Sequence, residues 1–577
     1  MKSYSCDFET TTDPNDCRVW AYGCCEIGNI DNFIYGNNID DFLKWCEKEN
    51  KNIYFQNLKF DGSFIINRLL QLGFVYSDEK IEKSFSCVMN MQNQMYSISI
   101  VFKRIKRNLR HVKIFDSLKK LPFSVKNLAI AFNLPILKGS IDYDLYRPVG
   151  HILTEKEIDY LKNDVQIVAM ALQIQFEQNL KKMTIASDAF TFYKNMISDK
   201  LFKKLFPIID KVIDDDIRQA YRGGFTWCNP KFKNKNIGKG IVFDVNSLYP
   251  HVMYNCNLPY GLPIFFEGKY ENDNNYPLYI QNMIVHFKLK KNHIPTIQLK
   301  NNPMFCATEY ITDSKEPIPL ILSSVDLELL YEHYDILYIE FVNGWKFKAS
   351  NTHFKPYIDY WMKVKMENTG AIRELAKLML NSIYGKFGSS CNVTGRLPYL
   401  DNNILKWKNG EAEYKDPVYT AVAVFVTANA RKITISTAQA CFDRIIYCDT
   451  DSIHLVETDV PDEIKEIVHP KKLGYWKHES TFTRGRFLRA KTYIEEMEIS
   501  KSDYDEMKEK DKNDMRYYIS HNKYYMLNVK CAGMPDEVKK IITWDNFHYG
   551  FKNENKLKFK SVQNGVILEK TEFTIKA

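Results

Sequence analysis

The chain has 577 residues, of which 45% are hydrophobic and 26% are charged, and its formal net charge is +8. This length is too great for one hydrophobic core, so we expect several domains of ordinary globular composition. The 13 cysteines form no C-x-x-C pair, and no apolar run approaches the roughly 20 residues of a membrane span. We therefore predict a soluble intracellular protein without a disulfide framework, a zinc site or a membrane partner.

The N-terminal region carries acidic residues at positions that allow them to converge. The segment "SYSCDFETTT" alternates like a strand, so Asp7 and Glu9 project from one face. Asp61 stands just before a predicted helix, and in a later long helix Tyr160 and Asp164 are four residues apart on one face. Each acid alone is more simply an exposed carboxylate or a helix cap. Together they could hold two metal ions that activate water for attack on a phosphodiester.

A second acidic set lies in the C-terminal half. In "YCDTDSIHL", Asp449 and Asp451 stand one residue apart in a sequence otherwise suited to a buried strand. Their repulsion is roughly 4 kcal/mol at about 4 Å and an effective dielectric of about 20, so a positive charge is expected there. The segment "IVFDVNSLYP" ends a strand at Asp244, and if that strand faces the other two aspartates, two Mg²⁺ ions could be held for nucleotidyl transfer. A surface hairpin of solvated aspartates is the simpler explanation of "DTD" alone.

Further segments have residue types that bind nucleotides or nucleic acid. In "AIRELAKLMLNSIYGKF", Arg373, Lys377, Asn381 and Tyr384 fall nearly on one helical stripe, which suits a triphosphate, although a plain amphipathic helix also fits. In "AYRGGFTW", the two glycines allow the backbone to approach a phosphate closely, and a simple Gly-Gly turn explains them equally well. The basic stretch 102–113 is more simply a solvated ribbon than a DNA contact.

The N-terminal acids occur in the order D-x-E, N-x-x-F-D and Y-x-x-x-D, which resembles the DEDD-type proofreading 3′→5′ exonucleases of the tyrosine variant. The resemblance implies an RNase H-like fold, an attacking water oriented by Tyr160, and stabilisation of the scissile phosphate by Lys138. Where relatives carry an acid two residues after that lysine, this chain has Ser140, and Asp142 is near enough to substitute for it. The residues implied to hold the single-stranded 3′ end are Thr10, Asn57, Phe60, Ser117 and Leu118.

The motifs D-x-x-S-L-Y-P and Y-x-D-T-D-S resemble the signature motifs of family B DNA polymerases. The resemblance implies that Asp244 and Asp451 are the main ligands of two Mg²⁺ ions, for which Mn²⁺ can substitute. The Val245 carbonyl would add a contact, and Asp449 would have a supporting part. The residues implied to bind the incoming nucleotide are Tyr249, Lys365, Arg373, Lys377, Asn381 and Tyr384. Those implied to contact DNA are Tyr221, Gly223, Gly224, Ser247, Thr427, Arg431, Lys491 and Tyr493.

Motifs along nearly the whole chain, from "CDFETTT" through "YRGGFTW" to "VKCAGM", resemble the protein-primed family B DNA polymerases of phi29-type phages. The resemblance implies an α/β multidomain fold with an exonuclease domain and a right-hand polymerase. The expected divisions are exonuclease 1–184, palm 185–254 and 421–522, fingers 353–387, thumb 523–577, and terminal-protein-region insertions 255–352 and 388–420. Residues 498–525 are a charged segment that we expect to be solvated.

This resemblance implies proofreading, processive, strand-displacing replication of linear phage DNA in the cytoplasm of the host bacterium. The expected partners are primer-template DNA, a single-stranded 3′ end, deoxynucleoside triphosphates and a terminal protein whose hydroxyl serves as primer. The enzyme would act as a monomer or as a heterodimer with that protein. Two other classes compete: a 3′→5′ exonuclease whose polymerase half only binds DNA, and a non-catalytic replication scaffold. Both predict decay of at least one acidic set, whereas both sets are complete.

Overall fold

The computed structural model describes residues 1–299 and 309–576. Residues 300–308, which belong to the first predicted insertion, and residue 577 lie outside the described residues. Helices and strands alternate along the described chain, as the predicted α/β class requires. The described cysteines are free thiols. Within the described ranges, no helix combines the length and the apolar character needed to cross a bilayer.

The N-terminal region is built on one mixed sheet. Its elements are β1 (Lys2–Thr10), β2 (Val19–Glu26), β3 (Asn29–Gly36), α1 (Ile39–Lys48), β4 (Lys51–Phe55), α2 (Leu58–Gln71), β5 (Val75–Tyr76), β6 (Ser84–Met89), β7 (Met95–Ile105), β8 (Asn108–Asp116), α3 (Val125–Ala131) and α4 (Glu155–Glu177). The strand order is β3-β2-β1-β4-β8-β7-β6-β5, with β1, β4 and β8 parallel. The basic stretch 102–113 forms the exposed turn between β7 and β8, as a solvated ribbon would.

The long helix α4 begins at the capping box that the sequence predicts. The Thr154 hydroxyl accepts a hydrogen bond from the Glu157 N–H at 3.3 Å, and the Glu157 carboxylate accepts one from the Thr154 N–H at 3.0 Å. These bonds satisfy two backbone donors that a helix start otherwise leaves unpaired. The helix then packs on β1 and β2, which places its Asp164 face against the strand that carries Asp7.

The second part of the chain, from Ile185 onward, begins with helices and short strands. Its first elements are α5 (Ile185–Ile197), α6 (Asp199–Leu205), α7 (Lys211–Gln219), β9 (Thr226–Cys228), β10 (Asn236–Ile237), β11 (Gly240–Val245), α8 (Leu248–Asn255), β12 (Leu258–Glu267), β13 (Leu278–Leu289), β14 (Ile318–Ser323), α9 (Ser324–His333) and β15 (Tyr334–Ser350). The strands of the predicted first insertion form their own sheet, in the order β12-β15-β13-β14.

The remaining elements lie in the regions predicted as fingers, second insertion, palm and thumb. They are α10 (Lys355–Glu367), α11 (Gly370–Phe387), β16 (Arg396–Asp401), β17 (Ile404–Asn409), α12 (Thr420–Ala440), β18 (Ile445–Asp449), β19 (Ser452–Val456), β20 (Trp476–Phe482), β21 (Arg484–Arg489), β22 (Thr492–Ile499), α13 (Lys501–Lys510), β23 (Tyr517–Ser520), β24 (Lys523–Cys531), α14 (Asp536–Lys540), β25 (Lys552–Val562) and β26 (Gly565–Thr574). Helices α10 and α11 are the two helices predicted for the fingers, and β16–β17 is a hairpin within the second predicted insertion.

The palm sheet joins strands that are distant in sequence. Its order is β20-β11-β19-β18-β9, and β11 pairs with β19 so that Asp244 lies opposite Ser452. The helix α12 packs against this sheet. It is buried along most of its length and contacts β18 and β19. It shares one large hydrophobic core with α5, α8, α10 and α11. The acidic strand ends therefore stand on a rigid base.

The predicted boundary between palm and thumb coincides with the start of a strand. The division at residue 523 falls inside a sheet, since β23 and β24 form a hairpin with Ser520 opposite Lys523, and β24 also pairs with β22. Antiparallel neighbours share backbone hydrogen bonds and belong to one body. The expected solvation of the charged segment is seen in α13, which has no buried residue.

The C-terminal hairpin β25–β26 reaches back to the N-terminal region. Gly565 lies against the ring of Phe64 on α2, and the Asn564 N–H donates to the Asn403 carbonyl at 3.2 Å. The Asn67 side-chain amide donates to the same carbonyl at 3.1 Å. Three parts of the chain therefore meet here: the N-terminal region, the β16–β17 hairpin and the β25–β26 hairpin.

Substitution of Gly565 by alanine should weaken this junction. Its Cβ would overlap the Phe64 ring, which is buried and cannot move freely. We expect a loss of about 1 to 3 kcal/mol in the free energy of unfolding, measured by denaturant titration. Gly238→Ala is the matched control, because a Cβ there meets nothing within 4 Å. Equal stability of the two variants would contradict the described packing.

Two candidate active sites

The structure brings the four N-terminal acids together as one acidic cluster. It consists of Asp7 and Glu9 on β1, Asp61 on α2 and Asp164 on α4. Asp61 stands in the first turn of α2 and not before the helix, as the sequence suggested. Burial, followed by the Asp164 carboxylate, raises the pKa of Asp7 to about 7. Burial and then Asp7 raise the pKa values of Glu9 and Asp61 well above their usual range. The four carboxylates therefore lie close together without enough positive charge to offset their burial and mutual repulsion.

One lysine compensates the cluster in part. The Lys138 ammonium donates to one carboxylate oxygen of Asp164, while the other oxygen, Oδ1, is buried without a hydrogen-bond partner. Although burial opposes it, Asp164 raises the pKa of Lys138. An orphaned carboxylate oxygen among acids of raised pKa is the donor set that suits a hard divalent cation. The residues present therefore fit the predicted metal ions.

The tyrosine of the cluster has a partner that sequence reasoning missed. The hydroxyls of Tyr160 and Tyr143 lie 2.5 Å apart, and the Lys138 ammonium lies 5.2 Å from the centre of the Tyr160 ring. Tyr143 follows Lys138 closely in the segment "LKGSIDY". This short spacing was the signal from which a place near Tyr160 could have been predicted. Asp142 is exposed and accepts from the Asp144 N–H at 3.0 Å, and Ser140 is exposed as well.

The residues predicted to hold a single-stranded 3′ end differ in accessibility. Asn57 is exposed at the start of α2 in a left-handed conformation with φ 73°, and Thr10, Phe60 and Leu118 are partly exposed. Ser117 is fully buried, and its hydroxyl bonds to the Phe55 carbonyl at 2.9 Å. The Ser117 hydroxyl is thus already satisfied inside the protein, and the role of Ser117 in holding the 3′ end stays a prediction.

The second site is the aspartate hairpin, residues 445–456 of β18 and β19. Its tight turn centres on Thr450, whose φ is 59°, so Asp449 and Asp451 stand on either side of a left-handed residue. The Val245 N–H donates to the Asp451 carbonyl at 2.8 Å, which fixes the turn beside Asp244. The three aspartates therefore converge at one end of the palm sheet, as predicted.

The three aspartates have different electrostatic environments. The Lys491 ammonium donates to both oxygens of Asp449, at 2.8 and 3.1 Å, and the Thr226 hydroxyl donates to it at 3.1 Å. Burial, then Asp451, raises the pKa of Asp244 to about 7, and burial also raises the pKa of Asp451. Within the described residues, no basic side chain lies within 4.0 Å of either of these two carboxylates.

Asp449 is occupied by its ion pair with Lys491. Asp244 and Asp451 are therefore the carboxylates available to a cation. In the described ranges, no three His, Cys, Asp or Glu side chains already form a metal cluster. A pair of free carboxylates still fits Mg²⁺, which in proteins takes one or two carboxylates and completes its shell with water and substrate phosphates. The Val245 carbonyl, in the residue that follows Asp244, is a further oxygen ligand candidate.

The predicted nucleotide residues surround the same end of the sheet. The rings of Tyr249 and Tyr384 stack with centroids 4.2 Å apart, and the Lys365 ammonium donates to the Ser247 hydroxyl at 2.9 Å. Lys377 forms an ion pair with Glu374 at 2.5 Å. Arg373 and Asn381 are exposed on the same helix, α11. The predicted stripe is thus present, with one of its cations engaged by a neighbour.

The Gly-Gly segment touches the aspartate hairpin. A Cβ on Gly224 would stand 2.7 Å from the Thr450 hydroxyl oxygen, whereas one on Gly223 would meet nothing within 4 Å. The Thr450 N–H donates to the Phe225 carbonyl at 2.6 Å. Gly224 is therefore required for close packing against the turn, and Gly223 leaves the backbone open. Tyr221 nearby is partly exposed.

Three residues predicted to contact DNA are buried. Thr427 is 2% exposed and its hydroxyl bonds to the Ala423 carbonyl at 3.0 Å, and Tyr493 stacks on Phe487 with ring centroids 5.0 Å apart. Arg431 is 4% exposed and forms a two-pronged ion pair with Asp326 on α9. Each of these side chains is packed or paired within the protein, and their proximity to primer or template stays a prediction. They support the elements that line the site.

Comparisons with known proteins assign the chain to a family. A sequence model described as type B DNA polymerase, organellar and viral, matches residues 44–152 and 146–470. The chain belongs to this polymerase family. The DNA polymerase of Bacillus phage Nf is 53% identical over 578 residues, covering 100% of both chains, and that of Bacillus phage phi29 is 50% identical over 579 residues, covering 100% of this chain and 99% of the relative.

Solved structures agree with the family. The structure of phi29 DNA polymerase complexed with primer-template DNA and incoming nucleotide has a TM-score of 0.93 at 50% identity, and its complex with single-stranded DNA has a TM-score of 0.92 at 49% identity. Both matches cover 100% of the two chains. The predicted family B fold with mixed α/β content is confirmed, and so is the resemblance to the phi29-type polymerases.

The raised pKa values predict how the stability of the polymerase depends on pH when no metal is present. Asp7 and Asp244 have pKa values of about 7 in the folded chain against 3.8 when unperturbed, so the folded state holds more protons between these values. The melting temperature in EDTA should therefore fall as the pH rises from about 4 to about 7. Added Mg²⁺ should recover stability at neutral pH, where these carboxylates are ionised.

Two variants test this origin. Asp7→Asn together with Asp244→Asn should reduce both the pH dependence and the stabilisation by Mg²⁺. Asp462→Asn should change neither, because that side chain is 96% exposed. Differential scanning calorimetry gives the measurement. A double variant that keeps the dependence of the unsubstituted protein would contradict the assignment to these carboxylates.

Proposed function

We propose that this DNA polymerase extends primers at the aspartate hairpin and removes mismatched 3′ ends at the acidic cluster. The observation that carries the first part is the difference among the aspartates: Lys491 forms an ion pair with Asp449, while Asp244 and Asp451 form no ion pair within the described residues and have raised pKa values. The observation that supports the second part is the cluster of raised-pKa acids around Lys138 and Tyr160.

For extension, the chain's own groups bind and orient the substrates. Lys365, Arg373 and Lys377 provide positive charge for the triphosphate, and the stacked pair of Tyr249 and Tyr384 forms a wall against which a deoxynucleoside packs. Two Mg²⁺ ions, when bound to Asp244 and Asp451, would lower the pKa of the attacking hydroxyl and stabilise the leaving pyrophosphate. Lys491 keeps Asp449 oriented through hydrogen bonds to both of its carboxylate oxygens.

For proofreading, the groups of the acidic cluster act on a frayed strand. Phe60 offers a partly exposed ring for stacking a base, and Asn57 offers an exposed backbone turn. Metal ions held by the acids would activate the attacking water. The Tyr160 hydroxyl, placed by Tyr143, orients that water, and Lys138 stabilises the charge that develops on the phosphate.

Relatives support the choice of partners. Solved structures of the phi29 polymerase are titled as complexes with primer-template DNA, with incoming nucleotide substrates and with single-stranded DNA. We infer that this chain takes the same classes of partner, and that a terminal protein supplies the first hydroxyl. The joined thumb hairpin, β16–β17 hairpin and N-terminal region would enclose DNA, which supports processive, strand-displacing synthesis.

Single substitutions should separate the two activities. Asp451→Asn should lower primer extension by roughly a hundredfold or more while leaving the degradation of single-stranded DNA intact, since only one site loses a metal ligand. Asp7→Asn should do the reverse. Both changes preserve the volume of the side chain, and a gel assay with a labelled primer measures both activities. Loss of both activities from either folded variant would contradict two separate sites.

The same assay separates the competing classes. Shortening of the primer with and without nucleotides would favour an exonuclease that only binds DNA through its polymerase half. Binding without any change in primer length would favour a replication scaffold.

Protein priming has its own expected outcome. With a terminal protein, Mg²⁺ and one labelled nucleotide, the label should become covalently attached to that protein, because a side-chain hydroxyl replaces the primer 3′-OH. Asp451→Asn should abolish the attachment and Asp7→Asn should not. Denaturing electrophoresis measures the labelled band. A label that appears only on DNA would contradict protein priming.

A further inference from the structure

A cavity next to the predicted nucleotide site has a wall that the signature motifs do not include. It encloses about 150 Å³ and is lined by Ser247, by Lys365 of α10, by Arg373 of α11 and by Lys471. Lys471 belongs to the connecting loop, residues 469–475, that precedes β20. The fingers thus supply two cations from one side, and the connecting loop supplies a third from the palm.

The cavity carries more positive charge than the protein neutralises. In the described part of the chain, no carboxylate lies within 4.0 Å of the cationic groups of Lys365, Arg373 or Lys471. Lys365 has only a neutral partner, the Ser247 hydroxyl at 2.9 Å. Burial, followed by Lys377 and Arg373, lowers the pKa of Lys365, and Glu374 opposes this shift in part. A polyanion is the ligand that such a cavity favours.

The connecting loop is fixed relative to the aspartates. The Asn246 side-chain amide donates to the His469 carbonyl at 2.8 Å, and the Asn246 N–H donates to the Tyr475 carbonyl at 2.9 Å. Since Asn246 follows Val245 directly, both ends of the loop are tied to the strand end that carries Asp244. The His469 ring nitrogen accepts the Lys471 N–H at 3.1 Å, which fixes the backbone from which the lysine extends.

The neighbouring lysine behaves differently. The Lys472 ammonium donates to the Tyr475 hydroxyl at 2.6 Å and lies 4.0 Å from the centre of that ring. Its charge is therefore used within the loop, and the residue does not line the cavity. Lys471 and Lys472 share the same backbone segment but have different surroundings, so one can serve as a control for the other.

We propose that Lys471 is a phosphate-binding residue of the polymerase site, and that its ammonium contacts the terminal phosphates of the incoming nucleotide from the palm side. This inference rests on the proposed extension reaction and adds to it a residue outside the fingers helices. Because the β- and γ-phosphates leave as pyrophosphate, the same contact would bind pyrophosphate in the reverse reaction.

Steady-state extension by a single nucleotide tests the proposal. Lys471→Ala should raise the KM for the nucleotide about tenfold, since one charge-assisted contact is lost, and should leave kcat within about twofold. Lys471→Arg should restore most of the affinity. Lys472→Ala should leave both constants unchanged. Lys471→Ala should also need about tenfold more pyrophosphate for primer shortening by pyrophosphorolysis.

The possible failures are distinguishable. If Lys471→Ala keeps the KM of the unsubstituted protein, or lowers kcat with KM unchanged, Lys471 does not bind the phosphates and the inference is wrong. Equal losses in Lys471→Ala and Lys472→Ala would assign the effect to the loop fold and would also overturn it. Degradation of single-stranded DNA by each variant reports correct folding, and extension by the unsubstituted protein tests the proposed function separately.

Discussion

Repulsion between buried carboxylates is the constraint on which both candidate sites depend. Three aspartates meet at the end of the palm sheet, and water is too scarce there to screen them. A single ammonium, that of Lys491, neutralises Asp449 alone. The folded chain therefore keeps an uncompensated pair, and that pair has the composition a divalent cation needs. Without the lysine, all three acids would compete for the same ions.

The acidic cluster of the N-terminal region meets the same constraint with different elements. There one lysine, Lys138, contacts Asp164 and leaves the other carboxylates with raised pKa values. In both sites a single lysine forms an ion pair with one of several acids, so the acids outnumber the cations that pair with them. The similarity is one of charge and not of fold, since one site lies on a mixed sheet with parallel strands and the other at the end of an antiparallel one.

Local patterns in the sequence were sufficient to predict much of this arrangement. The alternation around Asp7 and the capping box at Thr154 depend on neighbours in the chain, and both appear as predicted. The buried contacts of Ser117 and Arg431 could not be predicted in this way. Whether a polar side chain faces DNA or bonds within the protein depends on distant partners, such as Phe55 for Ser117.

The pairing of Lys491 with Asp449 shows the same limit. The two residues are 42 positions apart, and only the sheet arrangement brings them together. The predicted boundary at residue 523 comes from the resemblance alone, and the pairing of β24 with β22 across it is a further contact between segments distant in the chain. A polar composition indicates that a segment is solvated. It does not distinguish a linker from an exposed strand of a sheet, because both are solvated.

The ion pair between Asp326 and Arg431 has a mechanical consequence. Asp326 belongs to α9 of the first insertion, and Arg431 also donates to the Gly223 carbonyl at 2.8 Å. The next residue, Gly224, is packed against Thr450 without room for a methyl group. A continuous chain of contacts thus joins α9 to the turn between Asp449 and Asp451. A partner bound to the insertion would act through these contacts on the backbone turn at Thr450.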